Sequence, residues 1–320
     1  MEQPIKIKDL STHFKQSVDL FICSSSFEER CFTLANEVTK NINPKESLVF
    51  YNDNEYQEII TNAEKLGTLL NTSSENIISL NSDKQIQNAI KINDILDLKL
   101  KNNIANILLD TTTFTHETLL AIFRLLCFKK SSFNNLFITY VGAKDYSVNE
   151  TELSKKWLSS GISEIRTIMG YPGVMSPARE NHLVILFGFE FNRTNSLIDH
   201  LQFDKVSLGF GKKGKSIGSN HHDLNYERHS ELMKKYTQAY KFELDLTDPF
   251  KAKEDIKNYL SEFSGDNIVI APMNNKLSTI GASLVAIENQ RIQLIYAKAI
   301  EYNVIGYSRP MDETYLFQIW

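Results

Sequence analysis

Along the first 142 residues, short apolar runs alternate with longer stretches whose apolar positions recur every three to four residues. Residues 18–23 (VDLFIC), 47–51 (SLVFY), 76–80 (NIISL), 104–109 (IANILL) and 136–141 (LFITYV) have strand length and little polar alternation. Residues 27–39, 56–70, 83–98 and 117–128 between them carry helical spacing. Turn-forming clusters such as Asn52-Asp53-Asn54 and Asn81-Ser82-Asp83 separate the segments. Strands apolar on both faces and joined by helices predict a parallel sheet wound by helices on both sides.

Residues 143–180 break this rhythm. They contain Tyr171-Pro172-Gly173 and Ser176-Pro177, and read as a connector with one helix (152–159) and one strand (164–169). The alternation then restarts. Residues 182–187 (HLVILF), 205–208, 240–246, 267–271 (NIVIA), 292–296 and 314–319 read as strands, the last of them at an edge. Residues 192–201, 226–237, 249–263 and 277–288 read as helices, with Asp248 as cap and Pro249 at the first helical position of the third. The expected fold is therefore α/β, with two tandem Rossmann-like parallel-sheet domains at 1–142 and 181–320. An internal duplication is suggested by Phe27-Glu28-Glu29-Arg30 and Phe189-Glu190-Phe191-Asn192-Arg193, each following the first strand of its half.

Composition narrows the class further. The 320 residues are 42% hydrophobic and 23% charged with a net charge of −4, which suits a globular protein and not one basic over its whole surface. A local basic patch leaves nucleic acid open as a partner. The start MEQPIKIKDL lacks a secretory core, and the most apolar stretch, 118–128, is short and interrupted by Arg124. Three irregularly spaced cysteines (Cys23, Cys31, Cys127) fit reduced thiols. These observations predict a cytoplasmic protein without membrane association.

Ligands of open parallel sheets bind beyond the carboxyl ends of the strands, so the loops there are the candidates. After the first strand comes Ser24-Ser25-Ser26, with Arg30 one turn on: hydroxyls, amide protons and a cation that suit an anion. The rival reading is a capping box formed by Ser26 and Glu29. After the fourth strand comes Asp110-Thr111-Thr112-Thr113, and its counterpart in the second half is Asn274-Asn275-Lys276. The loop Gly209-Phe210-Gly211-Lys212-Lys213-Gly214-Lys215-Ser216 has the Walker A spacing but is followed by a poor helix-forming stretch at 217–222. It reads better as a mobile basic flap than as a P-loop. Asp110 and Glu29 are the candidate acid, base or ribose-holding groups. His221, His222, Asp223, Glu227 and His229 crowd together but match no zinc spacing, so no metal is expected.

The two-half plan, with a polar loop after strand one and Lys276 before an apolar helix, resembles the CRISPR-associated Rossmann fold (CARF) and SAVED sensors. Met273-Asn274-Asn275-Lys276-Leu277 stands where those proteins carry a Gly-Gly-Thr-Lys-type loop, and Lys276 is the matching residue. The resemblance implies a sensor of an antiviral defence system, holding an oligonucleotide-type messenger across its paired units and acting with a protein partner. Residues 107–126 (ILLDTTTFTHETLLAIFRLL) also resemble the phosphoribosyl-diphosphate loop of type I phosphoribosyltransferases. The first strand and its serines are similar to TIR-like and nucleoside-deoxyribosyltransferase folds. The leading expectation is thus a nucleotide-ligand sensor, with the ligand between the halves. An enzyme acting on a nucleotide or ribosyl phosphate and a partner-binding subunit are the alternatives.

Overall fold

The computed structural model describes residues 4–14, 17–101, 104–152, 155–189 and 191–320, with the backbone alone at 219–221, 224 and 229. In chain order its elements begin with β1 (Ile5–Lys6), β2 (Leu20–Ser24), α1 (Arg30–Glu37), β3 (Glu46–Asn52), α2 (Gln57–Leu69) and β4 (Ile77–Leu80). Next come α3 (Gln85–Leu100), β5 (Ile104–Asp110), α4 (His116–Phe128) and β6 (Phe133–Tyr146). The chain continues through β7 (Ser159–Ser160), β8 (Glu164–Pro172), β9 (Asn181–Leu186), α5 (Phe191–His200), β10 (Lys205–Gly211) and α6 (Ser219–Lys235). It ends with β11 (Tyr240–Leu244), α7 (Pro249–Leu260), β12 (Asn267–Pro272), α8 (Lys276–Glu288), β13 (Ile292–Lys298), β14 (Glu301–Tyr302) and β15 (Ser308–Gln318).

Two compact units result: Met1–Asp145 with Ser308–Trp320, and Tyr146–Tyr307. This redraws the expected boundaries at 142 and 180. The segment read as a connector gives β7 and β8 to the second unit, and the strand expected to close the second half lies in the first unit's sheet. An apolar run announces a strand, but the sheet it joins is decided by pairing with distant residues. Residues 153 and 154 of the expected helix 152–159 lie outside the described residues, and Ser159–Ser160 at its end pairs with β14 as strand.

Within the first unit the sheet order is β1-β15-β6-β5-β2-β3-β4, and β6 through β4 form parallel pairs. β1 pairs antiparallel with β15. In the second unit the order is β11-β10-β9-β12-β13-β8, parallel except for β8 at the edge. The fold is thus α/β with mixed, mostly parallel sheets. In each unit the five parallel strands share one spatial order: first strand central, second and third to one side, fourth and fifth to the other. The order reverses between β2 and β5 in one unit and between β9 and β12 in the other, where a wound sheet opens its crevice.

Burial explains why these strands are apolar throughout. Leu20, Phe21, Ile22, Leu48, Val49, Phe50, Leu108 and Leu109 are fully enclosed in the first sheet, as are Leu183, Val184, Ile185, Leu208 and Ile270 in the second. Each such side chain contributes on the order of 1.5–3 kcal/mol when removed from water. No helix among the described residues is long and apolar enough to cross a membrane.

Candidate functional site

At the crevice of the first unit, the serine and threonine clusters do come together, but their hydroxyls bond within the protein. Ser24 Oγ donates to Ser25 O (3.0 Å), and Ser25 Oγ donates to Ile59 O (2.6 Å). Ser26 Oγ accepts from Glu28 N–H (3.4 Å). Thr111 Oγ1 donates to Thr139 O (2.7 Å), Thr112 Oγ1 to Asp110 Oδ1 (2.5 Å), and Thr113 Oγ1 to Ser24 O (2.7 Å). All but Thr113 are buried. A phosphate needs donors, and the hydroxyl protons of Ser24, Ser25, Thr111, Thr112 and Thr113 already have acceptors. They therefore hold the loop conformations and tie the end of β2 to the loop after β5. The capping box does not form either: α1 starts at Arg30, with Glu29 as a cap residue whose side chain makes no capping bond.

Charged groups beneath these loops form a buried network. Arg30 Nε donates to Glu28 Oε2 (2.7 Å) and its Nη1 donates to Val141 O (3.1 Å) in β6, just past the last β5–β6 pair at Asp110 and Thr139. Ser308 Oγ also donates to Glu28 Oε2 (2.6 Å). Arg30 is thus a paired structural cation, 4% exposed. Asp110 is 2% exposed; burial pushes its carboxyl up to about 6, against the hydrogen bonds from Thr112 N–H and Oγ1 and the Arg30 charge, which favour the anion. Nearby Cys31 is pushed up to about 12 by burial, and Cys23 is also raised well above its ordinary value, so neither is a thiolate nucleophile at neutral pH.

The second unit repeats several of these devices. Asn274 Nδ2 donates to Phe187 O just after β9, as Thr113 does to Ser24 O in the first unit. Asn275 Oδ1 caps α8 by accepting from Ser278 N–H (2.9 Å), as Thr115 Oγ1 caps α4 by accepting from Thr118 N–H (3.2 Å). Arg193, 8% exposed, donates to Ala297 O near the end of β13 and to Ser159 Oγ (3.0 Å), matching Arg30 and Val141 O. Glu190, the residue that completes the sequence likeness between the halves, lies outside the described residues. Gly188, which the sequence reading passed over, sits at this crevice. A Cβ there would stand 3.0 Å from Asn274 Cα and Met273 O, so the two loops approach too closely for a side chain.

The Walker-like segment is not a loop throughout. Gly209 and Gly211 belong to β10, where a Cβ at Gly209 would enter the Phe242 ring and one at Gly211 would lie 2.6 Å from Leu246 Cδ1 and Ser216 Oγ. These glycines serve packing. Helix α6 opens at Ser219, three residues beyond Ser216, so the Lys-Ser pair does not stand at a helix start as a P-loop requires. It does form earlier than expected, from residues read as poor helix formers, after a turn at Gly218 (φ 80°).

What remains of the flap is basic and outward-facing. Lys213 is exposed, and Gly214 (φ 74°) has open space about it. Lys212 Nζ pairs with Asp255 (2.5 Å), while Lys215 Nζ is 4.0 Å from Asp245 with about half its side chain exposed. Leu246 N–H donates to Lys215 O (2.9 Å), and Asn275 Nδ2 donates to Leu246 O (2.7 Å). The structure thereby brings the flap beside Asn275 and half-buried Lys276, at the first position of α8.

The histidine cluster is partly described: His222 Nδ1 lies 3.1 Å from Asp223, while the side chains of His221 and His229 lie outside the described residues. Among the described residues, no three or more His, Cys, Asp or Glu side chains gather as a metal site. A buried network unseen in the sequence joins Asp266 to His182 Nδ1 (3.4 Å), His182 Nε2 to Ser207 Oγ (2.6 Å) and Ser207 Oγ to Tyr259 OH (2.5 Å). Its order is that of a Ser-His-Asp relay, but His182 and Ser207 are 0% exposed at the amino end of their sheet, out of reach of any substrate. Compared with models of protein families and with curated proteins, the chain matches none.

Proposed function

We propose that this protein binds a small phosphate-bearing, nucleotide-type ligand at the carboxyl ends of the second unit's parallel strands, as a sensor or regulatory protein. One observation carries the reading: the hydrogen bonds through Leu246 set the Lys213–Lys215 flap beside Asn275 and Lys276. Lysines from two loops, next to the first turn of α8, give an anion both point charges and a helix dipole. The first unit offers less, because its candidate hydroxyls are already bonded. The CARF resemblance adds defence signalling as the context and a protein partner as the recipient of the signal. We further infer that both units descend from one duplicated plan. The shared strand order, the paired arginines Arg30 and Arg193, and the matching caps Thr115 and Asn275 support it.

The test is a thermal-shift screen with inorganic phosphate, mononucleotides and cyclic or linear oligonucleotides. A ligand at 100 times its Kd adds about 2.7 kcal/mol of stability by mass action. Lys213→Ala with Lys215→Ala should weaken the hit at least tenfold while leaving the unliganded melting temperature unchanged. A screen without a hit, or a hit indifferent to both substitutions, rejects the proposal.

A further inference from the structure

The turn that carries the flap lysines is closed by its own backbone. Lys215 N–H donates to Lys212 O (3.0 Å), with Gly214 left-handed at the third position (φ 74°), the arrangement of a type II turn. Lys212 N–H donates to Leu244 O (3.0 Å) and Leu246 N–H donates to Lys215 O (2.9 Å), so both feet of the turn stand on the chain at the end of β11. The backbone is held on both sides, and what this segment can still rearrange is its three lysine side chains.

Those three are held unequally. Lys213 is exposed within the turn. Lys215 Nζ stops 4.0 Å from Asp245 Oδ2, beyond hydrogen-bond reach. Asp245 cannot follow it, because its buried carboxylate is anchored through Oδ1, which accepts from Thr247 N–H (2.7 Å) and Thr247 Oγ1 (2.7 Å). Lys212 Nζ, by contrast, donates to Asp255 Oδ1 at 2.5 Å. Asp255 reaches up from the middle of α7, and its Oδ2 accepts from Asp245 N–H (2.8 Å). One carboxylate thus holds both the Lys212 ammonium and the backbone just past β11. The two side chains of this ion pair are 39% and 19% exposed. Water screens a pair open to that degree, and pairs at the surface are worth no more than about fivefold in an equilibrium, so a competing anion can exchange with the carboxylate.

We propose that Asp255 is a resident counter-ion that competes with the ligand's phosphate for Lys212, so that the anion site is partly inhibited by its own chain and Lys212 becomes a third phosphate contact on binding. The inference rests on the anion site proposed above and assigns its regulation. A phosphate seated against Lys213 and Lys215 stands beside the turn's first lysine and offers it a second acceptor. Lys212 then leaves Asp255 Oδ1, while Asp255 Oδ2 keeps Asp245 N–H, so the end of β11 stays in place as the lysine moves. A phosphate group carries about −1.5 to −2 charge at neutral pH and displaces a carboxylate of single charge. A singly charged anion such as acetate offers Lys212 no more than Asp255 already does.

Calorimetric titration of the whole chain with inorganic diphosphate tests it. Asp255→Asn keeps an Oδ1 for Asp245 N–H but gives up the ion pair, and should bind diphosphate about fivefold tighter than the unaltered protein. Glu254→Gln makes the same change of charge at the adjacent, exposed position of α7, and should shift the affinity by less than about twofold. In a Lys212→Met background, Asp255→Asn should bring no gain. Carbodiimide, which joins a lysine and a carboxylate in contact, reads the pair in the unaltered protein: it should link Lys212 to Asp255 without diphosphate and lose most of that link at saturation, counted against the Lys129–Asp97 pair of the other unit. The counter-ion role is overturned if Asp255→Asn and Glu254→Gln act alike, if the gain survives in Lys212→Met, or if saturating diphosphate leaves the Lys212–Asp255 link unchanged. Diphosphate that binds none of these proteins overturns the anion site itself and this inference with it, whereas diphosphate that binds all of them equally overturns the counter-ion alone.

Discussion

Replacing Asp110 by asparagine should make the first unit more stable at neutral pH and remove part of its pH dependence. In the folded chain Asp110 titrates at about 6, because burial outweighs the Thr112 bonds and the Arg30 charge; its ordinary value is 3.8. The folded state therefore holds the proton more tightly than the unfolded state. The contribution of this group is fully present below pH 3.8 and is lost as the pH rises through 6. Raising the carboxyl from 3.8 to about 6 corresponds to about 3 kcal/mol, at 1.36 kcal/mol for each tenfold change in proton affinity. Asparagine carries no charge to desolvate, and its Oδ1 can accept the same two Thr112 bonds. The Asp110→Asn protein should then match the unaltered one at pH 4 and exceed it by up to ~3 kcal/mol at pH 7.5. Hydrogen exchange of β2 and β5 peptides across a urea series, at half-unit pH intervals, reads this unit separately from the other. If the difference between the two proteins is flat from pH 4 to 7.5, Asp110 is not a desolvated carboxyl and the reasoning about the crevice fails.

The second unit should respond to pH in the opposite sense. Burial lowers His182 to about 4, against the attraction of Asp266, so the unfolded chain takes up the proton first as the pH falls below 6.5. Stability of β9 and β10 should drop by up to ~3 kcal/mol between pH 6.5 and 4, measured by the same exchange experiment. Arg30→Met leaves the buried Glu28 carboxylate with the Ser308 hydroxyl as donor but without its cation, and should destabilise the first unit by about 3–5 kcal/mol in urea melts. Gly209→Ala drives a methyl group into the Phe242 ring and should cost about 1–3 kcal/mol, with nucleotide binding changed only through stability. Asn275→Ala removes the α8 cap and should cost about 1 kcal/mol, seen as faster exchange in the first turn of that helix.

The sequence by itself determined most of the elements. Buried strands such as VDLFIC and HLVILF, with amphipathic segments between them, are local signals, and the helices and strands formed close to where the spacing put them. The Thr115 and Asn275 caps formed in loops that the sequence had singled out. Partners were another matter. Nothing local in residues 308–318 says that they join the first sheet beside β6, since that pairing spans more than 160 residues of chain. Nor could the pattern show that Ser24, Ser25, Thr111 and Thr113 are bonded to backbone carbonyls and Thr112 to the Asp110 carboxylate: a serine in a loop looks the same whether its proton awaits a phosphate or already faces Ile59 O. The glycines of the Walker-like segment misled for the same reason, because the Phe242 ring that requires Gly209 lies 33 residues away and meets it only across two paired strands. Periodicity is written along the chain, whereas hydrogen-bond satisfaction and close approach are properties of neighbours in space, and those neighbours exist only once the sheet has formed.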